Sequence, residues 1–183
     1  MTVRPVRIYG DPVLRQRAAE VVEFDEALRA LVADLRETME VYNGVGLAAN
    51  QIGVLKRALV VNVPLDDQER ARYTLVNPII VRRSGSESGE EGCLSIPGIY
   101  EEVSRSLKLA VKAFDEFGRP FEFEPEGYVA RAIQHEVDHL EGVLFVDRLS
   151  PLKRQFLRGA LDALARGELP EGYQPPMAPG GPS

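Results

Sequence analysis

Between Asp25 and Tyr42 the apolar residues Leu28, Leu31, Val32, Leu35 and Met39 recur at intervals of three and four. That spacing lines one face of an α-helix, and Asn43-Gly44 is a natural stop for it. The period then changes. Ala58 to Val63 and Thr74 to Val81 are short, β-branched runs that predict strands. The charged stretch from Pro64 to Arg72 between them predicts a surface loop. From Leu107 to Phe114, Leu, Leu, Val and Phe alternate with Lys and Ala, which suits a half-buried strand. Glu116-Phe117-Gly118-Arg119 predicts a hairpin turn, and Phe121 and Phe123 continue the alternation on the return strand. Tyr128 to Leu140 predicts a largely buried helix, and Leu152 to Leu164 a last amphipathic one. From Pro170 onward proline and glycine dominate, so residues 1–169 are expected to form one domain and 170–183 a disordered tail. Short strands with a few helices and no internal repeat predict an α+β fold.

Composition narrows the function classes. A chain of 183 residues with 44% hydrophobic and 27% charged residues is ordinary for one globular domain. A net charge of −6 argues against nucleic-acid binding by the surface at large, so no specific DNA partner is expected. A single cysteine excludes an intramolecular disulfide. The opening residues have no continuous apolar core of the signal-peptide kind, and runs such as Ala58-Leu59-Val60-Val61 are too short to span a bilayer. A cytoplasmic location without membrane contact is the default expectation.

The candidate chemistry sits on the helix expected at Tyr128 to Leu140. The only two histidines of the chain fall in His135-Glu136-Val137-Asp138-His139. Residues four apart share a helix face, so both imidazoles can hold one divalent metal, with Glu136 at the rim to act on a water. Asp138 points elsewhere and is expected in a helix-surface salt bridge. The longer string HEVDHLEGVLF has Gly142 where one protease class has its glycine, but Phe145 where that class has a third histidine ligand. The third ligand must come from elsewhere, and Cys93, in Glu91-Gly92-Cys93-Leu94-Ser95, is the natural candidate. Three protein ligands leave a position for water, the layout of a catalytic site, unless a carboxylate closes the shell. The segment Gly44-Val45-Gly46-Leu47-Ala48-Ala49-Asn50-Gln51 lacks the lysine of a phosphate-binding loop and in isolation could be a plain helix stop.

These three segments together, in this order and spacing, resemble the motifs of the peptide deformylases, and the Asp11-Pro12-Val13-Leu14-Arg15 and Leu149-Ser150-Pro151-Leu152-Lys153 stretches resemble the bacterial branch. The resemblance runs from about Ile8 to about Arg166. It implies antiparallel sheets packed around a central metal-binding helix, with a C-terminal helix. It implies one divalent metal, held by Cys93, His135 and His139. Fe2+ is the expected ion in the cell, and Ni2+, Co2+ or Zn2+ can substitute. The implied substrate is an N-formyl-methionyl nascent polypeptide, and the products are formate and an unblocked N-terminus. Glu136 is then the general acid and base, and the Gln51 amide with the Leu94 N–H holds the oxyanion. Val45 and Gly46 are expected to line the methionine pocket and Arg105 to lie near the bound peptide; Glu91 either orients a ligand or is an ordinary loop carboxylate. The basic residues Lys153, Arg154 and Arg158 of the last helix are a candidate ribosome contact, or else a solvated face. Two rival readings are a metallopeptidase that cuts internal bonds and a non-enzymatic protein with a structural metal. The first needs a downstream third ligand, and the second a fourth protein ligand with no use for Glu136.

Overall fold

A computed structural model describes residues 2–176. Helix α1 spans Glu26–Val41, and Asp25 caps it by accepting from the Leu28 N–H at 3.0 Å. Strands β1 (Gly46–Ala48), β2 (Ala58–Pro64) and β3 (Arg70–Ser84) follow. Then come β4 (Glu87–Cys93), β5 (Ile96–Arg105), β6 (Lys108–Phe114) and β7 (Pro120–Phe123). Helix α2 is Gly127–Leu140 and α3 is Pro151–Ala165. Five strands form one sheet in the order β1-β2-β3-β6-β7, and β4 and β5 form a separate hairpin, every strand pair being antiparallel.

The large sheet is covered on both faces, which is why β2 is apolar at every position from Ala58 to Val63 except Asn62. Leu59, Val61 and Val63 pack with Leu75, Val111, Ile133 and Leu140, under α2. Ala58 and Val60 point the other way, into Leu28, Val32, Leu35 and Met39 of α1. A third cluster, with Leu14, Ile96, Val103, Phe145 and Leu161, joins β5, the turn after α2, and α3. Helix α2 therefore lies between the large sheet and the β4–β5 hairpin.

The expected helices and strands are present, with bounds shifted by a residue or two in most cases. Two corrections stand out. Strand β3 begins at Arg70, inside the stretch read as a loop, because its register with β2 runs on to Arg70 opposite Pro64. The β4–β5 hairpin has no counterpart among the expected strands. Its first strand, ESGEEGC, carries no apolar alternation and is rich in residues that strands disfavour.

The tail expectation falls partly on 177–183, which lie outside the described residues. Pro170–Pro176 follow α3 without regular structure, with a turn at Glu171-Gly172.

Candidate functional site

Helix α2 has no side-chain cap at its N-terminus. Burial holds it instead, with Val129, Ala130, Ile133 and Leu140 facing the large sheet. It stops at Gly142, which has φ +73° and no room for a side chain, since a Cβ there would lie 2.6 Å from the Arg15 carbonyl oxygen. Gly142 is thus a helix terminator. Phe145 is sealed in the third core cluster, and its ring stacks on His135 at 5.9 Å.

The other face of α2 is polar. Arg131, His135 and Asp138 follow one another at four and three residues, and each is less than a tenth exposed. This stripe meets the β4–β5 hairpin. Cys93, at the end of β4, comes within 3.3 Å of His139 Nε2. The candidate ligand atoms of Cys93, His135 and His139 all lie within 4.8 Å of one another. Bonds of about 2.3 Å to sulfur and about 2.0 Å to nitrogen at a tetrahedral angle imply a chord of about 3.5 Å, and the Cys93–His139 pair is already near that spacing.

The surroundings favour a cation. His135 Nδ1 donates to Glu91 Oε1 at 2.9 Å, which turns its Nε2 inward. Burial lowers the His135 pKa, but the Cys93 thiol and Glu91 outweigh it and hold the value well above 6.5. The partners that attract a proton there attract a metal ion equally. Burial, then the charges of His135 and Arg105, push His139 well below 6.5, so one ring nitrogen keeps a free lone pair at neutral pH.

Glu91 is anchored in turn. Arg105 donates to both its oxygens at 2.9 Å, and Arg131 donates at 2.8 Å. Burial raises the Glu91 pKa, but the Arg105 and His135 hydrogen bonds prevail and hold it at about 2. Arg131 also binds the carbonyls of Glu87 and Val103 at 2.7 Å, tying α2 to both strands of the hairpin. Arg105 also donates to Asp138 at 2.6 Å, and Asp138 accepts from Arg148 at 2.8 Å.

Two placements correct the sequence reading. Arg105, expected beside the peptide, is buried behind the ligands, where two carboxylates take up its guanidinium and hold it away from the cavity. Asp138, expected in a surface pair, forms its ion pairs at 7% exposure. Sequence reasoning missed Arg131. An arginine one turn before His135, on a helix expected to be buried, was the available signal, since a buried charge needs partners.

The remaining candidates surround one cavity of about 650 Å³, lined by Val45, Gly46, Gln51, Cys93, Leu94 and Glu136 among others. Glu136 is 4% exposed, and its Oε2 is buried without a hydrogen-bond partner among the described residues. Burial raises its pKa to about 7, with help from the Glu91 charge and against His135. Gly46 makes room for it, since a Cβ there would lie 2.7 Å from Glu136 Oε1. Gln51 is fixed by accepting from the Ala48 N–H at 3.0 Å, which aims its amide N–H group at Ser95 Oγ, 3.1 Å away, and at Cys93 Sγ, 3.6 Å away. Leu94 sits in the two-residue turn between Cys93 and Ile96, so its backbone N–H is held next to the thiol. A buried carboxyl group poised near neutrality, donors beside it and a Cys-His-His cluster together suit metal-assisted hydrolysis.

The family model described as polypeptide deformylase matches residues 3–155. A peptide deformylase of Alkalilimnicola ehrlichii is 46% identical over 166 residues, which is 91% of this chain and 93% of that protein. The crystal structure of a peptide deformylase from Legionella pneumophila superposes with a TM-score of 0.81 at 47% identity, covering 91% of this chain and 97% of that one. The Ehrlichia chaffeensis enzyme, solved in complex with actinonin, superposes at 0.84 with 38% identity, covering 92% and 99%. A match of this length and identity, joined to the cluster described above, makes the chain a member of the polypeptide deformylase family.

Proposed function

We propose that this chain hydrolyses the formyl group from the N-terminal formyl-methionine of nascent polypeptides, with Cys93, His135 and His139 as metal ligands and Glu136 as the proton carrier. The observation that carries this reading is the unpartnered Glu136 oxygen beside a three-ligand cluster at the floor of an open cavity. A divalent ion held there supplies a Lewis acid that acidifies water and polarises a carbonyl. Glu136, buried beside the cluster, takes a proton from the attacking water as the oxygen bonds to the formyl carbon. The Gln51 amide and the Leu94 N–H donate to the oxyanion, a contribution of roughly 3–4 kcal/mol per donor. Glu136 then passes its proton to the leaving nitrogen, the C–N bond breaks, and formate and a free amine separate. Val45 and Gly46 form the part of the cavity beside Glu136 where the methionine side chain lies. Arg105 supports Glu91, which holds His135, and has no contact with the peptide.

The rival readings fare worse. A protease of the three-histidine class needs a ligand where Phe145 is buried in the core. A closed structural site needs a fourth protein ligand, and among the described residues the cluster has three.

A thiolate with two imidazoles suits iron, nickel, cobalt and zinc, and we assign Fe2+ as the working ion. Anaerobically purified protein should contain iron and release formate from formyl-Met-Ala-Ser. Air should inactivate the iron form rapidly and the nickel form slowly, through oxidation of Cys93 or of the ion, read by mass spectrometry and metal analysis. Equal lifetimes would rule out iron as the sensitive partner.

No described helix is long and apolar enough to cross a membrane. The substrate assigns the reaction to the cytoplasm, where formylated chains emerge. The basic face of α3 is proposed to contact the ribosome. Lys153 is already paired with Glu101 at 3.1 Å, so Arg154 and Arg158 are the cleaner probes. Charge reversal of both arginines should weaken co-sedimentation with ribosomes and leave turnover of a free formylated peptide unchanged. Undiminished co-sedimentation would return α3 to a structural role.

A further inference from the structure

The segment after α3 does not leave the molecule. Gly167, at φ +85°, ends the helix with its N–H on the Leu164 carbonyl at 2.9 Å, and the Glu168 N–H reaches Ala163 at 2.9 Å. Pro170 then packs on Gly98 of β5, where an added Cβ would lie 2.9 Å from the proline Cγ. A turn closed by the Tyr173 N–H on the Pro170 carbonyl at 3.0 Å follows. Tyr173, Gln174 and Pro176 line the same cavity as Cys93 and Glu136. Tyr173 is half-buried, and burial together with the Tyr42 hydroxyl raises its pKa. The segment therefore reaches from β5 towards Tyr42, at the C-terminal end of α1. It lies beyond residues 3–155, the part matched by the family model.

The cavity, at about 650 Å³, is of a size that encloses a drug-sized ligand. One formylated residue is smaller than that, so the outer part of the cavity is open to the residues that follow it. The lining of the cavity includes Tyr42, Tyr100, Tyr128 and Tyr173. Flat rings with a polar tip suit apolar or aromatic side chains on an extended peptide.

We infer that Pro170–Pro176 is a wall of the substrate cavity and that Tyr173 is a specificity-determining contact for apolar side chains beyond the formylated methionine. The inference rests on the proposed function for its substrate class. It is tested with Tyr173→Ala, Tyr173→Phe and a chain ending at Leu169, each as full metal-loaded protein. The substrates are formyl-Met-Ala, formyl-Met-Ala-Leu-Tyr and formyl-Met-Ala-Asp-Gly.

Tyr173→Ala and the shortened chain should raise KM for the apolar tetrapeptide about 3- to 10-fold, the range of one aromatic contact, with kcat within twofold. KM for formyl-Met-Ala and for the acidic tetrapeptide should not move, and Tyr173→Phe should behave as the parent. Binding of the product Met-Ala-Leu-Tyr, followed by calorimetry, should weaken by the same factor. That readout holds even if no formyl peptide is hydrolysed, which would count against the proposed function alone. Equal changes for all peptides, no change, or a lower KM on shortening would overturn the inference; the last would mean that the segment obstructs the cavity.

Discussion

Glu136→Gln should lower kcat for formate release by about 10²- to 10⁴-fold while the protein retains its metal. The substitution keeps the volume that fits against Gly46, where a Cβ would already lie 2.7 Å from the carboxylate oxygen. It removes only the basic oxygen. Glu136 is outside the Cys93, His135 and His139 cluster, so metal content after dialysis should match the parent. Its buried, unpartnered Oε2 has no structural bond to lose. A Gln variant that kept more than about a tenth of the parental rate would remove Glu136 from the proton path.

Glu91→Ala should cost roughly 3–5 kcal/mol of folding stability and about 10- to 100-fold in metal affinity. The two effects have one origin. Arg105 and Arg131 would lose a buried carboxylate at 2.8–2.9 Å, and His135 Nδ1 would lose the acceptor that orients its ring. Asp138 would still hold Arg105, which keeps the loss below that of an isolated charge. Glu91→Gln, which preserves the shape, should recover part of the stability.

The parent protein should show the same linkage on acidification. Glu91 sits at about 2 in the fold against an ordinary 4.5, so its stabilisation is complete above about 4.5 and is lost as the pH falls towards 2. Urea titrations of the parent and Glu91→Gln at several pH values measure this. Curves that stayed parallel through that window would show that Glu91 does not anchor the site.

Much of this architecture was legible along the chain because it depends on local periodicity. The three-and-four spacing from Leu28 to Met39 gave α1 within a residue at each end. The alternation from Leu107 to Phe123 gave β6, the turn and β7. The β4–β5 hairpin was invisible for a definite reason. Its strands are shaped by partners far away in the chain: Glu87 and Gly89 are held by Arg131 from more than forty residues on, through bonds to their carbonyls. A sequence such as ESGEEGC has no period of its own to show.

The same division runs through the site. His135, Glu136 and His139 could be placed together from sequence alone, because a helix fixes the relation between residues four apart whatever surrounds it. Cys93 could only be nominated. Its thiol reaches His139 across 46 residues, through the docking of the hairpin on α2. The position of Arg105 also depended on that docking. In sequence it was one basic residue among many; in the fold it lies where Glu91 and Asp138 converge, and a buried guanidinium goes where carboxylates can compensate it. The sequence determined the helix that brings His135, Glu136 and His139 within one turn, because that relation follows from the backbone alone. The tertiary structure decided the approach of Cys93 to the two histidines, the buried charges that orient His135, and the return of Tyr173 to the cavity, because each is a contact between segments that only the assembled core brings together.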